Sequence, residues 1–372
     1  MWSANLFQTV TGAIGPRLNF ESMSWSIDLN DTESISMSLK KSDLPKVDLK
    51  YWLSPWWAGV VIFWNGVPVV AGPITTRPSE QWDTVKISCG GVRSILARRL
   101  ITLELDNWTQ LAKTNIQYKG LSLGTIAKRV VIQAQNKLGG ALPISFALPD
   151  ETAAMDADHE RNYRGFNVQN IDCDAVLTKL SNVIGGPDIM FRPVLIRDNQ
   201  LSFEMWTGSE KQPRIYQPIT PVWDTTAVES NVSNLQVTTT GSYQTNRTYS
   251  VGAGQDEGTL IRVNTNVAPI QRQYPLLETV VSTSQSENPA VVNNHGLSNL
   301  ITNSEPLTEL QMTVRGDGEI PVGMFWPGYA VEVITKGWLG LPDGKHKMRL
   351  LNMTGDTSNE VKVALQLDDR YA

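Results

Sequence analysis

Residues 60–71 read Val60-Val61-Ile62-Phe63-Trp64-Asn65-Gly66-Val67-Pro68-Val69-Val70-Ala71. Two apolar, β-prone runs flank an Asn-Gly pair, and Asn-Gly supplies the two positive φ angles of a type I′ turn. A tight antiparallel hairpin is therefore expected here. Upstream, Trp25, Ile27 and Leu29 alternate with polar residues, Asn30-Asp31 makes a turn, and Ile35, Met37 and Leu39 alternate again. Downstream, Val85, Ile87 and Cys89 alternate with Thr84, Lys86 and Ser88. Period two marks half-buried strands, so residues 20 to 105 read as a small barrel or sandwich with no intervening helix.

The period then changes. Leu123, Ile126, Ala127, Val130, Val131, Ala134 and Leu138 fall at helical spacing, with Lys128, Arg129, Gln133 and Lys137 opposite and Gly139-Gly140 as a stop. A second helix is expected from an Asp172 N-cap, burying Cys173, Val176, Leu177, Leu180 and Ile184. Two strands, Met190 to Ile196 and Leu201 to Trp206, join at Asp198-Asn199. Ser209 to Pro221 is polar and Pro-rich, as expected of a linker or domain boundary. Beyond it, strands are expected over 235–240, 248–252 and 260–263, and a short helix over 289–301 behind the Asn288-Pro289 start, weakened by Gly296. Val331 and Val333, the turn Leu341-Pro342-Asp343-Gly344, and the run Val361, Val363, Leu365, Leu367 indicate a final sheet. The fold class is mainly β with an α+β middle. The expected domains are 1–105 (β-barrel), 106–222 (smaller α+β) and 223–372 (β-barrel-like).

The chain has 372 residues, 41% hydrophobic and 19% charged, which fits a globular multidomain protein. A net charge of −5 argues against a dedicated nucleic-acid binder. No run approaches the roughly 20 apolar residues of a membrane span, and the first residues lack a signal-peptide pattern, so no stable membrane insertion is expected. Cys89 and Cys173 both sit in apolar stripes and read as free, buried thiols of a chain folded in a reducing cytosol.

No arrangement typical of catalysis emerges. His159, His295 and His346 stand far apart, without metal-ligand spacing, and no Walker loop or nucleophile elbow occurs. Cys173 opens a helix, as a catalytic thiol would, but its spacing places it in the core. Gly252-Ala253-Gly254 to Gly258 superficially resembles a phosphate loop; Asp256-Glu257 would repel phosphate, so it reads as a wide β-turn. Asp156, Asp158, His159 and Glu160 gather potential ion ligands, yet an EF-hand's Gly and distal Glu are missing and Arg161 and Arg164 follow; they read as a solvated loop with internal ion pairs, the alternative being an ion or partner contact. Arg93, Arg98 and Arg99 could face phosphate, or pair with Glu104 and Asp106 at the surface. Trp52, Trp56 and Trp57, in YWLSPWW, admit three readings: a barrel plug, a subunit interface or a glycan platform. They are the candidate interface. No catalytic residue, metal site or cofactor is assigned.

In order and spacing, several short motifs resemble one family. They are Lys41-Ser42-Asp43-Leu44, Asn65-Gly66, Ala71-Gly72-Pro73-Ile74, Cys89-Gly90-Gly91 and Leu96-Ala97-Arg98-Arg99-Leu100, then Tyr243-Gln244, Arg247-Thr248-Tyr249, Val251-Gly252-Ala253-Gly254, Tyr274-Pro275 and Trp326-Pro327-Gly328-Tyr329. The chain looks like a siphophage minor tail protein of the baseplate-hub, tail-associated (Tal-like) family, as in phages of actinobacteria. The resemblance implies two tail-tube-like β-barrel domains per subunit and a homotrimer that forms a pseudo-sixfold ring. That ring would join the tail tube and distal tail ring to the tip. Its implied partners are the distal tail protein, the tape measure protein and other tail-tip proteins, with genomic DNA passing through without specific binding. The implied location is the virion tail tip, after assembly in the host cytoplasm. Relatives often carry an appended peptidase; here the chain stops at Tyr371-Ala372, so no catalysis is expected. The alternative is a receptor- or glycan-binding tail module.

Overall fold

The computed structural model describes residues 1–154, 159–183, 185–197, 199–282 and 286–367. It is 42% strand and 19% helix. Two compact units form: Met1–Leu235 with Gln311–Lys336 and Gly344–Ala372, and Gln236–Leu310 with Gly337–Asp343. No helix among the described residues is long and apolar enough to cross a membrane.

In the first unit, the Asn65-Gly66 hairpin forms as its sequence dictates. Ala58–Trp64 pairs antiparallel with Val67–Pro73, Trp64 faces Val67, and Asn65 and Gly66 take φ of 48° and 86°. Every residue of Ala58–Trp64 is buried, so both faces meet apolar neighbours. Phe63 and Val61 join the core with the helices; Trp64, on the other face, packs on Trp2 at 4.6 Å, and Trp2 on Trp25 at 5.6 Å. The strand that pairs along Ala58–Trp64 is Trp2–Gln8, ahead of the expected β region. Its buried Trp2, Ala4 and Leu6 alternate as strand residues should. With Ile14–Leu18 beyond it, these four strands make one sheet.

A larger sheet unites the two ends of the chain. Ser34–Lys40 pairs with Ser22–Asp28 on one side and Thr84–Gly90 on the other. The 13-residue strand Gly344–Asp356 pairs antiparallel with Ser22–Asp28, with Glu360–Leu367 and, at its start, with Ala330–Thr335. Segments expected in separate domains, 1–105 and 223–372, thus share one hydrogen-bonded ladder. Among the described residues the sheets do not close into a barrel.

Between these strands lies the α+β part. The helix Leu123–Gln135 starts at Ser122, whose hydroxyl accepts from Thr125 N, and buries Leu123, Ile126, Ala127, Val130, Val131 and Ala134. It ends earlier than its apolar spacing suggests. Asn136 leaves helical geometry, Gly139 turns at φ 72°, and Leu138, expected on the buried face, stands 96% exposed. Three residues past the last helical turn, the 3.6-residue period no longer controls where a side chain points. The second helix, Cys173–Ser181, is capped by Asp172 accepting from Ala175 N at 2.8 Å. It buries Cys173, Val176, Leu177 and Leu180; Ile184 lies outside the described residues. Ile189–Arg197 and Gln200–Thr207 form the expected antiparallel pair, and Asp198 at their joint also lies outside the described residues.

The second unit holds the strands Ile261–Thr265, Arg247–Val251 and Glu278–Ser282 in that order, antiparallel then parallel. The Gly252–Gly258 segment is the connection of a β-hairpin. The helix Pro289–Asn303 begins as its sequence indicates, with Asn288 accepting from Ala290 N. Gly296, which weakens the helix on propensity alone, has a packing reason: a Cβ there would overlap the Ser250 hydroxyl.

Candidate functional site

Trp52 ends the short helix Leu49–Trp52, and Trp56 and Trp57 lie between it and the strand Ala58–Trp64. Their backbones are tied to the first sheet: Trp56 N donates to Ile74 O at 2.8 Å, and Thr9 N donates to Trp57 O at 3.0 Å. Trp57 lies against Tyr51 at 3.7 Å between ring centroids and meets Trp52 edge-on at 5.2 Å. Trp52 rests on Gly15, where any Cβ would run into its indole. The Arg98 guanidinium lies over the Trp56 ring at 5.3 Å, a cation–π contact. Trp56 holds a φ of 66°, uncommon for a bulky side chain.

All three indoles are half-buried. The structure therefore brings Trp52 and Trp57 into one aromatic group and ties Trp56 to Arg98. Such a group leaves aromatic surface partly exposed. It is a poorer sugar platform, because Trp52, Trp56 and Trp57 each use ring surface on a neighbour within the chain.

The remaining candidates are dispersed. Arg93 is 1% exposed and pairs with Asp174, with a further bond to Thr178 Oγ1 at 2.9 Å. The expected surface pairing of Arg93, Arg98 and Arg99 with Glu104 and Asp106 is not what forms. Arg93 turns into the interior, and Arg99 donates to the carbonyls of Ala134 and Gly140. In the acidic loop, Asp156 and Asp158 lie outside the described residues. His159 Nε2 meets Glu210 Oε1 at 3.0 Å, and Glu160 pairs with Lys119. Among the described residues no group of three His, Cys, Asp or Glu side chains could hold a metal ion.

Cys89 and Cys173 are free and buried, and burial pushes both thiols up to about 12. A thiol held so strongly in its neutral form is a poor nucleophile.

Among the buried charges that the sequence did not single out are Arg192 and Glu33. Arg192, on the strand Ile189–Arg197, is enclosed by Trp206 at 4.6 Å, Tyr329 at 5.2 Å and Trp326 at 5.3 Å. Glu33 sits beside Gly91, whose N donates to Glu33 O at 2.8 Å. Burial raises the Glu33 carboxyl to about 7, against the opposing pull of Arg93. Only the apolar residues around Arg192 in its strand and those following Glu33 in the next one hinted at enclosure.

No protein-family model matches the chain, and no curated protein matches it by sequence. Solved structures do match. The tail protein of Neisseria meningitidis MC58 is 15% identical, with a TM-score of 0.56 over 100% of this chain and 98% of its own. The 43 kDa tail protein of prophage MuSo2 from Shewanella oneidensis is 12% identical, with a TM-score of 0.57 over 100% of both chains. E. coli c3393, a component of the type VI secretion system with structural similarity to the T4 tail proteins gp27 and gp5, is 10% identical, with a TM-score of 0.50 over 99% of this chain and 78% of its own. From end to end, the chain has the fold of these tail proteins.

Proposed function

We propose that the chain is a structural subunit of a phage tail tip, a baseplate-hub protein without catalysis of its own. The observation that carries this reading is end-to-end likeness: two tail proteins superpose over the whole chain, not over one shared module. The active assembly is a homotrimer in which strand-rich wall segments of each subunit contribute to a pseudo-sixfold ring. The ring joins the tail tube and distal tail ring to the tip and leaves a channel for DNA. A mildly acidic chain suits such a channel, because a basic wall would hold the phosphates. Trp52, Trp56 and Trp57 are the proposed subunit-contact anchors, supported by their half-buried rings, the edge-on packing of Trp52 on Trp57 and the Arg98 guanidinium over Trp56. Partners are the distal tail and tape measure proteins.

The test is the mass and symmetry of the purified protein. Light scattering and electron microscopy are expected to show a trimeric ring with an opening of duplex-DNA width. A stable monomer at high concentration, with no ring in the presence of the distal tail protein, overturns the reading.

A further inference from the structure

Beside the tryptophan group lies an open groove of about 400 Å³ at the end of the helix Leu123–Gln135. Its lining includes three cations, Arg98, Arg99 and Lys137, and no carboxylate. Among the described residues none of the three forms an ion pair. Arg98 stacks on Trp56, Arg99 donates to the Ala134 and Gly140 carbonyls, and Lys137 donates to the Leu100 carbonyl. Glu104 also acts on Lys137 but lies off the lining. Three like charges in one groove stand out on a chain of net charge −5.

The same groove exposes large apolar side chains. Leu138, released from the helix by the Asn136 and Gly139 turn, is almost fully exposed, and Trp108 is about half exposed. Leu111 continues the apolar lining. Exposed apolar surface ringed by one sign of charge suits a partner that offers both apolar groups and the opposite charge. Nucleic-acid phosphate satisfies the cations but leaves Leu138 and Leu111 in water. A peptide carrying carboxylates and apolar side chains satisfies both.

We propose that this groove docks an acidic amphipathic peptide segment of a partner protein. Its carboxylates would meet Arg98 and Lys137, and its apolar side chains would cover Trp108 and Leu138. The proposal goes beyond the tail-tip reading and does not require a ring.

The test uses the full chain and a fluorescein-labelled amphipathic peptide of Glu, Leu and Ala, followed by fluorescence anisotropy at low and high salt. Saturable binding that weakens with salt is expected. Replacing every peptide Glu by Gln should weaken binding roughly tenfold, as two or three surface charge pairs would. The double variant Arg98→Glu, Lys137→Glu should do the same. Leu138→Glu should abolish binding; because that side chain makes no buried contact, this variant keeps the test valid if the double variant fails to fold. Absence of saturable binding, equal binding of the Gln peptide, or indifference to Leu138→Glu overturns the proposal. Displacement of the peptide by a short DNA duplex overturns the peptide assignment in favour of nucleic acid. A trimeric ring that binds no peptide would sink this proposal and leave the tail-tip reading standing.

Discussion

Arg93 Nε donates to Asp174 Oδ1 at 2.5 Å, joining the short helix Arg93–Leu96 to the helix Cys173–Ser181 across 81 residues of chain. Glu33 feels both charges from the turn before the strand Ser34–Lys40. One cation thus serves two carboxylates in a buried place. Arg93 Nη1 and Glu33 Oε2 have no hydrogen-bond partner there.

This arrangement makes stability depend on pH in a definite direction. Glu33 titrates at about 7 in the fold against 4.5 as its ordinary value. The folded chain therefore holds a proton that the unfolded chain releases between those values. Its contribution is fully present below about 4.5 and is lost as pH rises through about 7, roughly 3 kcal/mol in all. Chemical denaturation at pH 5 and pH 8 should show this loss, and Glu33→Gln should remove that component of the pH dependence. An unchanged slope in the variant would show that Glu33 is not its source.

Removing the cation should cost more than removing the acid. Arg93→Met leaves Asp174 and Glu33 without their counter-charge, and breaking a buried pair from one side costs about 3–5 kcal/mol. The loss should be largest at high pH, where Glu33 is ionised. Urea midpoints of wild type, Arg93→Met and Arg93→Met with Glu33→Gln would measure it, with partial recovery expected in the double variant.

Gly296→Ala should destabilise the second unit by about 1–3 kcal/mol, because its new methyl overlaps Ser250 Oγ. Adding Ser250→Ala removes that oxygen and should restore part of the loss. Hydrogen exchange across 289–303 is the readout, with faster exchange in the single variant.

Gly15→Ala should unseat Trp52, since the indole occupies the space a Cβ needs. A change in tryptophan emission is expected. If the group is a subunit contact, the proposed trimer should also dissociate at higher protein concentration in the variant than in wild type. Altered emission with unchanged assembly would remove Trp52 from the interface.

Both thiols should resist alkylation in the native protein at pH 8 and react fully in denaturant, because burial holds Cys89 and Cys173 as neutral thiols. Mass spectrometry after iodoacetamide treatment checks this. Rapid native labelling of Cys173 would contradict its place in the core.

Local chemistry determined much of this protein before any tertiary contact. Asn65-Gly66 has one favoured turn, Asp172 and Asn288 are ready acceptors for helix N–H groups, and period-two or helical spacing names the buried faces of strands and helices. Those signals depend on residues a few positions apart: the Asn65-Gly66 hairpin and the helices capped by Asp172 and Asn288 formed where they pointed, but the short helices Leu49–Trp52 and Arg93–Leu96 interrupt a region expected to hold none, and the helix from Leu123 stops at Gln135.

Tertiary structure alone decided which distant pieces meet. Nothing in Ser22–Asp28 specifies Gly344–Asp356 as its neighbour, because backbone pairing is nearly blind to side-chain identity and the two are far apart in sequence. The Arg93–Asp174 pair, the aromatic enclosure of Arg192, the seat of Trp52 on Gly15 and the cationic groove around Leu138 arise the same way. Each is a property of space shared by separate segments, so it exists only once the chain has closed around it.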